Sequence, residues 1–203
     1  MGRSHPSRPL GGLCDFATAA RAGSRLGCPS VTVIRYSRAH RLVHWTTAAL
    51  VLSLLGLGLT MIDSLASWRS TGLVIHKAGG LTVFVLTAFR LGLLATRSRA
   101  LTPPRPRSVQ HAAAIVTHTL LYVLLVIVPL TGWAMQGAAG TPIVLPGGYA
   151  LPQILSQNIV VYGALREAHG VLTRVLWTLI LLHAGAALYH GLIRRDDVLE
   201  RML

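Results

Sequence analysis

From residue 108 to residue 165 the chain runs for 58 positions without an Asp, Glu, Lys or Arg, and residues 42–62 (LVHWTTAALVLSLLGLGLTMI) are equally free of charge. Across the whole sequence only 12% of residues are charged, about half the usual share of a soluble domain, which is about 25%. About 20 mostly apolar residues cross the roughly 30 Å of a bilayer's hydrocarbon. Four windows of that length are present. They cover about 42–62, about 74–96 (interrupted by Lys77 and Arg90), about 112–136, and about 167–193, the last stopped by Arg194, Arg195, Asp196 and Asp197. Between them, 97–107 holds three prolines and four arginines, and 137–165 is rich in Gly and Pro, so both read as loops. The expected fold is all-α: an integral membrane four-helix bundle.

The net charge of +13 points to an anionic partner until the arginines are located. Nucleic acid is excluded because the uncharged spans offer it nothing, and three Phe, four Trp and five Tyr make a poor stacking surface. Lys and Arg accumulate on cytoplasmic flanks of membrane helices. Arg35, Arg38, Arg41, Arg97, Arg99, Arg105, Arg107, Arg194, Arg195 and Arg201 fall on one side, against Arg69, Lys77, Arg166 and Arg174 on the other. This places both termini in the cytoplasm and the protein in a bacterial inner membrane, with the lipid bilayer as its first partner. Residues 1–34 lack the apolar run of a signal peptide and are expected to be a disordered arm or the product of an upstream start codon. The membrane domain is then 35–203. Cys14 and Cys28, the only cysteines, make neither a disulfide framework nor a four-thiolate metal site.

Nine histidines are many for so apolar a chain, and ionisable groups inside spans mark function by default. His44 lies near the start of span 1, His76 near the start of span 2, and His169 and His183 on span 4. The last two are 14 residues apart, two heptads, and so share a face. Span 1 runs outward, while spans 2 and 4 run inward. Pairing by depth then gives His44 with His183 on the inner side and His76 with His169 on the outer side. Two bis-histidine pairs stacked in a bundle suit two b-type haems, each taking one axial nitrogen per face. No Cys-x-x-Cys-His is present for covalent attachment. The ruler is imperfect: His190 lies closer to Arg194 than His183 does, shares its face, and competes for the inner position on spacing alone. His111 and His118 on span 3 are expected to hydrogen-bond neighbouring carbonyls, and His5 and His40 to be solvated or interfacial. Arg90, embedded in an apolar span, either finds a haem propionate as counter-charge or snorkels to the interface.

Arg35-Tyr36-Ser37 followed by Arg41 and His44-Trp45, His76 with Gly79, Gly80 and Arg90, Tyr122 with Pro129 and Gly132, and His169 with His183 and His190 together resemble the prokaryotic cytochrome b561 family over residues 35–203. The resemblance implies haem b, with His44 and His183 as ligands of an inner haem, His76 and His169 of an outer one, and His190 left as a group on the quinone or substrate side. It also implies electron transfer linked to the quinone/quinol pool and, in one branch, superoxide oxidation with quinone as acceptor, which would make the chain an oxidoreductase. Related cytochromes serve as subunits of hydrogenases or formate dehydrogenases, so a dehydrogenase or a second copy of the chain is the alternative protein partner. A third reading, a scaffold or transporter without cofactor, would reduce the four histidines to packing.

Overall fold

The computed structural model describes residues 37–62, 65–95, 109–145, 147–195, 199 and 202. The arm 1–34, with His5, Cys14 and Cys28, lies outside the described residues, as do Arg35, Arg97, Arg99, Arg105, Arg107 and Arg201. Four helices follow in order: α1 (Arg38–Ile62), α2 (Trp68–Ala95), α3 (Val109–Ala138) and α4 (Ile159–Leu188), the last continuing as a π-helical turn, Tyr189–Arg194. Each is long and apolar enough to cross a membrane. Among the described residues the extended structure amounts to one isolated bridge, Val144 to Ala150.

The helices outrun the apolar windows. α1 begins at Arg38 rather than 42, α2 at Trp68 rather than 74, and α4 at Ile159 rather than 167, taking seven residues from the loop expected over 137–165. A charge marks where an apolar stretch ends, whereas a helix begins at its cap. Asn158 caps α4: extended at φ −158°, it accepts on Oδ1 from the backbone N–H groups of Val160 (3.0 Å) and Val161 (3.1 Å). Such a cap contributes about 1 kcal/mol. The N–H of Asn158 in turn donates to the Ala138 carbonyl at 2.9 Å, fastening the start of α4 to the end of α3.

The loop between them folds back on α3. Trp133 Nε1 donates to the Pro152 carbonyl at 3.0 Å, and Ile143 is buried. Gly137 lies so close to this loop that a Cβ there would meet the Leu155 carbonyl oxygen at 2.7 Å. At the other end of the bundle Trp45 Nε1 donates to the Met202 carbonyl (3.0 Å) and Arg194 to Gln110 Oε1 (2.8 Å). α1 starts and α4 finishes at this terminal end of the bundle; the loop between α3 and α4 lies at the far end.

α3 packs along α4 and α1 along α2, with α2 joining the pairs through α3. Gly79 serves the α1–α2 contact, since a Cβ there would stand 2.7 Å from Leu54. Between α1 and α4 the backbones stay apart, and side chains fill the space. Val51, Leu54, Leu55, Val83, Leu124 and Leu176 form the core there. Val51 and Val83 sit one heptad after His44 and His76, and Leu176 is midway between His169 and His183. The core is therefore an apolar layer separating two histidine levels. Large apolar side chains such as Leu181 and Leu182 (64% and 61% exposed) point outward, the arrangement a lipid-facing surface requires.

Candidate functional site

α4 presents His169 and His183 on one face, and each meets a histidine from the α1–α2 pair. The His44 and His183 ring centroids are 6.4 Å apart with planes at 88°. Those of His76 and His169 are also 6.4 Å apart, at 74°. With 14 residues between His169 and His183, the two levels are about 21 Å apart along the helix. An imidazole–metal bond is about 2 Å and the ring centroid lies about 1 Å beyond its nitrogen, so two imidazoles facing one iron have centroids roughly 6 Å apart. Both pairs have that spacing.

The donor set favours a metal that brings its own equatorial ligands. Among the described residues no three His, Cys, Asp or Glu side chains gather around a point, whereas a bare zinc or copper ion takes three or four protein ligands. Two imidazoles on opposite sides leave four positions in a plane between them, which a macrocycle supplies. Room for one exists at the far-end pair. A cavity of about 760 Å³, lined by His76 and His169, opens between the helices, within the range of about 300–1,000 Å³ usual for cofactor sites. Its walls lack side chains beside the rings: a Cβ at Gly58 would come 3.4 Å from His76 Cε1, and one at Gly132 would come 3.4 Å from His169 Cε1. Gly80 also lines it and has nothing within 4 Å of its would-be Cβ. The buried Nδ1 of His44 has no hydrogen-bond partner among the described residues, while the Leu54 carbonyl faces the His76 ring.

The same cavity gathers Arg69, Lys77, Arg166 and Arg174 with a single acid, Glu167. In the sequence these four cations are only the minority side of the charge count. In the structure they come from two helices, Arg69 and Lys77 from α2 and Arg166 and Arg174 from α4, and line one cavity as a cationic wall. The hint lay in spacing: Lys77 adjoins His76, and Arg166 precedes His169 by three residues.

Other residues differ from expectation. Arg90 does not snorkel: it is 9% exposed, with its guanidinium 5.3 Å from the centre of the Tyr122 ring, near His44 and His183. His40, expected at the interface, is 7% exposed because it lies one turn before His44 on the same inward face. His118 bonds a carbonyl as expected, its Nδ1 2.6 Å from Ala114 O, yet its ring also stands 5.1 Å from that of His183. His190 lies edge-on to Tyr189 (5.9 Å between centroids, planes at 86°) within the π-helical turn, and it is His183 that faces His44. The Pro129 ring sits inside a continuous α3, on the cavity wall.

Residues 35–203 match the family described as prokaryotic cytochrome b561. The chain belongs to the prokaryotic cytochrome b561 family. It is similar to cytochrome b561 homolog 1 of Escherichia coli, 28% identical over 172 residues (83% of this chain, 97% of the relative). Cytochrome b561 homolog 2 of the same organism is 28% identical over 180 residues (83% and 91%). A probable superoxide oxidase of Yersinia pestis is 27% identical over 130 residues (64% and 73%). As a prokaryotic cytochrome b561 with four spans, the protein is a multi-pass component of the bacterial inner membrane that works in electron transfer, and the family implies b-type haem.

Proposed function

We propose that this cytochrome holds two b haems, one between His44 and His183 and one between His76 and His169, and oxidises superoxide at its far end while reducing quinone at its terminal end. The observation that carries the reading is the pair of facing imidazoles at one spacing, 6.4 Å, repeated at two levels of the bundle. The far end would face the periplasm and both termini the cytoplasm, following the ten-to-four distribution of basic residues.

Bound between two imidazoles, haem supplies one-electron transfer with no open position for a further ligand. The chain does the rest. The histidine pairs would fix the distance between the two levels, and the layer of Val51, Val83 and Leu176 would make the space between them apolar. Arg69, Lys77, Arg166 and Arg174 would hold carboxylates of the outer group and draw in a small anion. Arg90 would neutralise a carboxylate at the inner level. His190, on a π-helical turn of the kind frequent at functional sites, would face quinone and hand it a proton from its ring. The stoichiometry closes: two superoxide ions give two dioxygen and two electrons, and one quinone takes those electrons and two protons to become quinol. The name of the Yersinia relative supports the choice of superoxide.

The test uses the full chain in liposomes containing ubiquinone, with superoxide generated outside. Quinol should form in proportion to superoxide consumed. The rate should fall as salt rises, and the double variant Arg166→Gln/Arg174→Gln should be about tenfold slower at low ionic strength, the low end of the effect of electrostatic steering. Quinone reduction that ignores superoxide and needs an added hydrogenase or formate dehydrogenase would reject this reading in favour of a docked electron-transfer subunit.

A further inference from the structure

We infer that Thr131 is a positioning residue for the far-end site, fixing the tautomer of His169 so that Nε2 is the bare nitrogen offered to the haem iron; this rests on the haem reading above. Thr131 Oγ1 lies 2.8 Å from the Val128 carbonyl oxygen and 3.0 Å from His169 Nδ1. A hydroxyl has one hydrogen, and a carbonyl oxygen only accepts. Were that hydrogen turned toward Nδ1, two oxygens would face each other at 2.8 Å with nothing between them. The hydrogen therefore goes to Val128, Oγ1 accepts, and Nδ1 of His169 carries the proton. A neutral imidazole with Nδ1 protonated has Nε2 as its lone-pair nitrogen.

Local structure makes this contact. Thr131 bonds back to the carbonyl three residues earlier, which holds its side chain in one rotamer on α3. The neighbouring Gly132 leaves the His169 ring room to approach, since a Cβ there would already stand 3.4 Å from Cε1. The Val128 carbonyl faces the His169 ring and the Leu54 carbonyl the His76 ring, so what sets His169 apart is the hydroxyl: among the described residues Nδ1 of His76 and Nδ1 of His44 have no side-chain partner of this kind. A hydrogen bond from the remote ring nitrogen fixes an axial histidine and raises its basicity, and a more basic ligand favours the ferric over the ferrous state. The outer haem is thereby given a lower potential than its own two imidazoles alone would set.

Redox titration of the purified full-length protein, followed by its visible spectrum, reads this directly. In Thr131→Val, which keeps the shape and removes the hydroxyl, the ferrous-to-ferric ratio of one haem at fixed potential should rise about tenfold, the low end of second-shell effects. That is about 59 mV for one electron. The other haem should not move, and Thr131→Ser should restore the native value. Loss of a single haem from Thr131→Val with both retained in Thr131→Ser supports the same role. Unchanged potentials in Thr131→Val, or equal shifts in the Val and Ser variants, overturn it. Should Thr131→Val not assemble, Thr131→Ala carries the test, with the same shift and the same reversals. A wild-type protein that binds no haem would sink the underlying reading instead, and is seen before any variant is made.

Discussion

Replacing His76 or His169 by Ala is expected to lower the haem content of the purified protein from two per chain to one, and the double variant should lose no more than either single one. The His44→Ala and His183→Ala variants should behave in the same way for the other haem, whereas a variant combining one member of each pair should lose both. This pattern of equivalence within pairs and additivity between them follows from each ring facing one partner at 6.4 Å while the pairs stand apart. Haem assay against protein concentration measures it. His190→Ala and His118→Ala should keep both haems. If His190→Ala lost one while His183→Ala kept two, the pairing at the terminal end would be wrong.

The second large effect belongs to Arg90. A guanidinium 9% exposed in a membrane helix is costly unless its charge is answered, and the Tyr122 face at 5.3 Å answers part of it. A haem carboxylate at the level of His44 would be a further counter-charge, so Arg90→Leu would take this cation from that carboxylate. Removing one partner of a buried charge pair costs about 2–5 kcal/mol, which is roughly a 30- to 5,000-fold loss of affinity. The variant is expected to lose the haem near His44 and keep the one near His76. Arg90→Lys should fall between, since an ammonium keeps the charge without the planar fork. Retention of both haems at native affinity in Arg90→Leu would show that Arg90 serves the packing of the helices and not the haem.

The fold was legible because four apolar stretches of spanning length are a signal of composition that packing cannot override. Their ends were less so. Asn158 begins α4 through a cap bond to Val160 and Val161, while the nearest charge, Arg166, lies two turns into the helix. The histidine pairs were readable from chain direction and one 14-residue interval, although spacing alone left His183 and His190 equivalent. In the structure it is the His183 ring that faces His44, at 6.4 Å, while His190 lies in a π-helical turn that no apolar pattern announces. The cationic wall of Arg69, Lys77, Arg166 and Arg174 was hidden in a charge count because its members come from two helices. Thr131 was not readable at all. A threonine in an apolar span is unremarkable until its hydroxyl is found 3.0 Å from His169 Nδ1.

Whether two imidazole pairs hold two haems in one chain is read most directly from haem per polypeptide in the detergent-purified protein, with its dithionite-reduced spectrum and redox titration. Two non-covalent b haems per chain are expected, both low-spin and six-coordinate, titrating at two potentials. One haem per chain, or no Soret and alpha bands, would contradict this.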